Sequence, residues 1–185
     1  MFHRNPIVYA DDDFESIPTL VRLRLPSLAV GLILGLAISF VTSGFEEVLS
    51  RNIQVAFFIP FIVYISDALG TQTAAIYSRD LKSSKARFAT YLRKESMLGI
   101  IFGLIFSLLA GGVTSLWIDN DLIALSVGLA TFFSVASAPI VALCITEFFQ
   151  LLHKDPAAGS GPIATVVQDM ISIVIYGIIS SIILL

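Results

Sequence analysis

Five apolar runs divide this chain, each long enough to cross a membrane, and short polar stretches separate them. Residues 25–45 contain no charged side chain, 53–78 only Asp67, 96–118 none, 122–152 only Glu147, and 162–185 only Asp169. A helix rises about 1.5 Å per residue, so about 20 residues cover the ~30 Å hydrocarbon core. The pattern predicts an all-α membrane protein, a five-transmembrane-helix bundle forming one domain over residues 25–185. Residues 1–24, with Pro6, Pro18, Arg22, Arg24 and the run Asp11-Asp12-Asp13, read as a cytoplasmic lead-in with a short helix from Ser16. The acidic run is expected to be a solvated tail. In the last run Pro162 suits a first helical turn, where a missing N–H is no loss, with Ser160 as its cap.

Small residues recur at every fourth position of the first run (Ser27, Gly31, Gly35, Ser39, Ser43) and of the third (Gly99, Gly103, Ser107, Gly111). Such stripes let helix backbones approach closely in lipid, so a tight bundle is expected.

Composition agrees with the pattern. Only 14% of the 185 residues are charged and 56% are hydrophobic, against about 25% charged in soluble domains. The mean hydropathy is +0.90. Cys144 is the only cysteine, so no intrachain disulfide or cysteine metal site is expected. Lying in an apolar run, it is expected to be packed inside. No apolar stretch or cleavage site near the start marks a signal peptide.

The distribution of charge sets an orientation. Arg4, Arg22, Arg24, Arg79, Lys82, Lys85, Arg87, Arg93, Lys94 and Lys154 fall on one side, and Arg51 alone on the other. By the positive-inside rule the N-terminus is cytoplasmic and the C-terminus extracytoplasmic. The outer connections carry Glu46, Glu47, Asp119 and Asp121, which either form an acidic vestibule that concentrates cations or are ordinary hydrated loop charges. The basic segment 79–94 is expected to meet anionic lipid headgroups, and no nucleic-acid partner is expected.

Two constellations can carry chemistry. The stretch PFIVYISDALGTQT, from Pro60 to Thr73, is polar and breakable for a membrane helix. Pro60 frees a carbonyl, and Asp67, Gly70, Thr71 and Gln72 follow. Carboxylate, hydroxyl, amide and carbonyl oxygens are the ligands hard cations prefer. On the last run Thr165, Asp169, Ser172 and Tyr176 share one helical face, and Gly161 lies at its entry. An ionised Asp deep in a bilayer costs about 2.5–3.5 kcal/mol even on lenient scales, so water, a cation or a partner must compensate. Asp169 and Asp67 are therefore the candidate metal-binding carboxylates, with Thr165, Gly70, Thr71, Gln72, Gly161 and Ser172 along an ion pathway. Glu147 reads as a structural residue snorkelling to the interface near His153 and Lys154. His153 reads as an interface residue.

Two intramembrane aspartates could also suit an aspartyl protease. The local sequences YISDALG and VVQDMIS do not match the YD and GxGD patterns that class requires, and no nucleotide loop or Ser–His–Asp set is present. No enzymatic activity or organic cofactor is expected. A non-conducting membrane subunit packing through its glycine stripes is a third class.

Phe45-Glu46 followed by Pro60, then Gly70-Thr71-Gln72, then Asp155-Pro156-Ala157 with Ser160-Gly161-Pro162 and Asp169, occur in an order and spacing that resemble the MgtE magnesium transporters and their eukaryotic solute-carrier relatives. The resemblance covers roughly residues 20–185, the transmembrane part of that family. It implies transport of a divalent cation, Mg2+ before others, across the cell membrane. It also implies a homodimer, or a heterodimer of unlike halves, with the ion path on the twofold axis between the second and fifth spans and Asp169 as the pore carboxylate. Ala68 stands where the family motif has Asn, and Asp67 where a small residue is usual. The cytoplasmic sensor and paired CBS modules of many bacterial members have no counterpart in these residues. An ion-coupled exchanger using Na+ or H+ is the alternative to a channel, and Asp67 is the residue such coupling would use.

Overall fold

A computed structural model gives the backbone of residues 13–83, 86–152 and 156–185, and the side chains of all of these except 156–159. Arg4, Pro6, Asp11, Asp12, Lys85, His153, Lys154 and Asp155 lie outside the described residues. Among the described residues six helices follow one another: α1 (Ile17–Ser43), α2 (Glu46–Arg51), α3 (Gln54–Lys82), α4 (Phe88–Trp117), α5 (Asp121–Leu151) and α6 (Pro156–Leu184). Five are long and apolar enough to span a membrane, and α2 is a six-residue connection in which Glu47 pairs with Arg51 at 2.7 Å. No strand occurs among the described residues.

Two local expectations change. The stretch from Pro60 to Thr73 is unbroken helix, because a single proline removes only one of the ladder's hydrogen bonds. The last helix begins at Pro156, so Pro162 is inside it and Ser160 is no cap. Two prolines six residues apart can each start a helix, and the earlier one does.

α5 is the central post. It packs against α4, α6 and α3, whereas α1 packs against α6 and makes no comparable contact elsewhere. The α4–α5 turn is tight, and Asn120 caps α5 by accepting from the N–H groups of Leu122 (3.0 Å) and Ile123 (3.3 Å). The glycine stripe of α4 faces α5 closely. A Cβ on Gly99 would sit 2.9 Å from the Ala136 carbonyl oxygen, and one on Gly103 3.0 Å from that of Phe132. The α1 stripe is used in part: Gly31 lies against Pro162 and Val166 of α6, while Gly35 meets nothing within 4 Å. The Phe45 ring occupies the space over Gly177, docking the α1–α2 corner onto α6.

α3 and α4 meet through aromatic side chains at both ends. Trp117 stacks on Phe57 and meets Phe58 edge-on at one end, and Tyr77 packs against Phe88 and Tyr91 at the other. Rings at both levels suit the two membrane interfaces. Leu28, Leu32, Leu36, Phe40, Leu104 and Leu108 are exposed, as lipid-facing positions must be. Cys144 is exposed too, contrary to the expected packing, because the apolar run around it covers both the core and the lipid sides of α5.

Candidate ion-binding site

α3 and α6 lie side by side, each bearing one intramembrane carboxylate. Asp67 on α3 and Asp169 on α6 are both partly buried and near enough for their charges to interact. The Oδ1 atom of Asp169 is buried and has no hydrogen-bond partner. Leaving such an atom unpaired is costly.

Between α3, α5 and α6 lies a cavity of about 50 Å³, lined by Asp67, Gly70, Thr71, Gly161, Thr165 and Gln168 together with alanines of all three helices. Helical spacing explains the set. Asp67, Gly70 and Thr71 lie within one turn of α3, and Gly161, Thr165 and Gln168 are three and four residues apart on α6. The lack of bulk at Gly70, whose Cβ would stand 3.5 Å from the Ala138 carbonyl oxygen, lets α3 sit close to α5. The cavity shares Thr71, Ala74 and Gly161 with a wider cleft of about 450 Å³ whose border includes Ser78, Arg79, Lys82 and Ser160.

Four expected pathway residues, Gly70, Thr71, Gly161 and Thr165, thus share one cavity with the candidate carboxylate Asp67, and Asp169 is not among its lining residues. Gln72 is exposed on another face of α3. Ser172 is fully buried, with its hydroxyl 2.7 Å from that of Ser66, and Tyr176 donates to the Val55 carbonyl at 2.9 Å. These two join helices of the one chain.

Gln168, which sequence reasoning missed, ties this layer together. Its Nε2 donates to the Ser134 carbonyl (3.1 Å) and to Ser172 Oγ (3.2 Å), and its Oε1 has no partner. Its spacing from Thr165 and Ser172, three and four residues, was the available signal.

A second polar layer joins α3, α4 and α5 nearer the basic connection. Thr73 donates to Glu95 at 2.7 Å, Tyr77 to Glu147 at 2.6 Å, and Tyr91 to Asp80, which also pairs with Arg79 at 2.9 Å. Glu147 is thus held by a buried tyrosine rather than only reaching for the interface. Tyr77→Phe is expected to lower stability by about 1 kcal/mol through loss of this bond, read as a drop in the thermal unfolding midpoint in detergent. An unchanged midpoint would show that water replaces the tyrosine freely.

Among the described residues no three His, Cys, Asp or Glu side chains converge to chelate a metal.

Five long apolar helices, two of them bearing an intramembrane carboxylate near a small cavity between α3, α5 and α6, define an all-helical protein of the membrane-spanning class. Residues 59–179 match the profile of the MgtE family, described as divalent cation transporters, and the chain belongs to that family. It is 30% identical over 156 residues to the magnesium transporter MgtE of Bacillus subtilis, covering 83% of this chain and 35% of that protein. Similarity to the magnesium transporter MgtE of Enterococcus faecalis is 30% over 161 residues, covering 85% and 36%. For that of Thermus thermophilus it is 28% over 160 residues, covering 85% and 35%. The chain spans about a third of the length of these relatives.

Proposed function

We propose that the chain transports a divalent cation, Mg2+ before others, across the cell membrane, through a path along the axis of a dimer. The observation that carries this reading is Asp169: a partly buried carboxylate on a membrane helix, one oxygen unpartnered, with Asp67 as the charge that acts on it. The names of the relatives, all magnesium transporters, support the choice of ion.

A twofold axis beside α6 brings two Asp169 side chains into one lumen. Two carboxylates match a divalent charge better than a monovalent one. Mg2+ gives up water reluctantly, so the carboxylates accept hydrogen bonds from its water shell rather than binding the metal directly. Binding of that kind is favourable enough to fill the site and weak enough to release it. Asp67, Gly70, Thr71, Gly161 and Thr165 shape the α3–α6 side of the path. The lysine and arginine bias supports an N-terminus in the cytoplasm and a C-terminus outside.

The test is flux. Purified protein in liposomes loaded with a Mg2+-sensitive dye is expected to admit Mg2+ down its gradient, and cross-linking in the membrane is expected to trap a dimer. Liposomes that stay impermeable to Mg2+ under an imposed gradient and potential would favour a non-conducting subunit.

A further inference from the structure

We infer that Glu95 and Glu147, two half-buried carboxylates that border neither the cavity nor the cleft, are positioning residues. Through Thr73 and Tyr77 they hold α3 turned so that its opposite face keeps the cleft open. The inference deepens the transport reading and rests on it for the meaning of the cleft, whereas the setting of α3 can be measured without transport.

The first argument is the division of α3 into two faces. Thr73, Tyr77 and Asp80 are four and three residues apart and lie on one face. Each is bonded to another helix. Thr73 donates to Glu95 of α4 at 2.7 Å, Tyr77 to Glu147 of α5 at 2.6 Å, and Asp80 accepts from Tyr91 of α4. Thr71, Ala75 and Ser78, which border the cleft of about 450 Å³, each precede one of these by two residues. Two residues turn an α-helix by about 200°, so the bonded face and the cleft face are nearly opposite. Burial agrees: Thr73 and Tyr77 are each 1% exposed, whereas Thr71 and Ala75 are open to the surroundings.

The second argument is what else could set the turn of α3. The backbones of α3 and α4 approach at very few points, so side chains bridge them. Against α5 the contact is smooth, with Gly70 lying on Ala138 and Ala142. Small residues of this kind fix a distance and resist rotation weakly, while a hydrogen bond constrains both length and direction. The two glutamate bonds have the lengths of strong hydroxyl-to-carboxylate bonds. Carboxylates are costly inside a membrane bundle. Unlike Asp169, whose buried Oδ1 has no partner, Glu95 and Glu147 each take a bond from α3. Without those bonds α3 leans toward α6 and narrows the cleft, whose far wall is Ser160 and Gly161.

Thiol labelling tests this directly. Ser78→Cys in a Cys144→Ala background places a single thiol on the cleft face, since Cys144 is the only native cysteine. The full chain in detergent is reacted with a water-soluble methanethiosulfonate. Labelling is expected to slow at least about threefold in Glu95→Leu and in Glu147→Leu, each of which removes an acceptor from α3. Glu95→Gln and Glu147→Gln retain an acceptor oxygen and are expected to keep the parent rate. Tyr77→Phe removes a donor with little change of shape. It is expected to slow labelling too, and it covers the case in which a leucine variant fails to fold. In liposomes the leucine variants are expected to lower the maximal Mg2+ flux at an unchanged half-saturating concentration, since Asp169 is untouched. A lowered unfolding midpoint with the parent labelling rate would make both glutamates merely structural and overturn the inference, as would faster labelling. Glutamine variants as slow as the leucine ones would also overturn it, because charge and not the bond would then set α3. Slowed labelling in a protein that passes no Mg2+ would sink the transport reading and leave the positioning of α3 standing.

Discussion

Replacing Asp169 by alanine is expected to reduce Mg2+ flux by about a hundredfold or more while leaving the protein folded. Two unit charges about 4 Å apart interact by about 4 kcal/mol at the effective dielectric near a protein surface, and each 1.4 kcal/mol is a factor of ten in occupancy. A hydrated ion stands farther away and water screens it, which lowers that figure, but the twofold axis removes two carboxylates at once. Folding has nothing to lose, since Oδ1 of Asp169 is buried without a partner and its removal relieves a desolvation penalty. The measurement pairs liposome flux with thermal unfolding of the same preparation. Flux at the wild-type level would move the divalent path away from α6. A collapse of the unfolding midpoint would instead make Asp169 a structural residue.

The largest expected effect on stability lies on α4. In Gly99→Val the new Cβ would stand 2.9 Å from the Ala136 carbonyl oxygen and 3.2 Å from the Pro139 ring, and in Gly103→Val 3.0 Å from the Phe132 carbonyl oxygen. Neither backbone oxygen can yield without moving α5, the helix on which α3, α4 and α6 all rest. Each substitution is expected to cost about 1–3 kcal/mol by overpacking, and the pair together more, read as loss of the monodisperse peak or a lowered unfolding midpoint. Gly112 is the internal control. A side chain there meets nothing within 4 Å, so Gly112→Ala should leave stability unchanged or raise it through helix propensity. Equal tolerance at Gly99 and Gly112 would mean that α4 does not lie against α5 as described.

The five spans could be read from the sequence because charge is so costly in hydrocarbon that a run of about twenty residues without it marks a membrane crossing. The α4 glycine stripe was legible for a related reason, since only close helix contact rewards glycine at every fourth position. The side facing lipid was not legible. Lipid tails are as apolar as a protein core, so hydropathy cannot tell the outward Cys144 from the buried Leu143 beside it. Polar partners across helices were equally hidden. Glu95 and Gln168 acquire their roles from Thr73 and Ser134, more than twenty positions away, and nothing local announces those meetings. The start of α6 was ambiguous because Pro156 and Pro162 carry the same local signal. In the candidate site the two carboxylates and half of the cavity residues stood out by their chemistry, whereas the alanines and Gln168 that complete the cavity needed three helices in place.

The docking of α1 on α6 has a consequence for how the molecule comes into being. Gly31 finds Pro162 and Val166, synthesised more than a hundred residues later. In order of synthesis α1 comes first and its neighbour α6 last, so their packing cannot form until α3, α4 and α5 have been made. α3, α4 and α5 can meanwhile settle on one another. Only the arrival of α6 draws α1 in, so closure of the bundle is a late biogenesis step joining the earliest span to the last. A lesion at Gly31 would therefore spare the α3–α5 core and act on the final clasp.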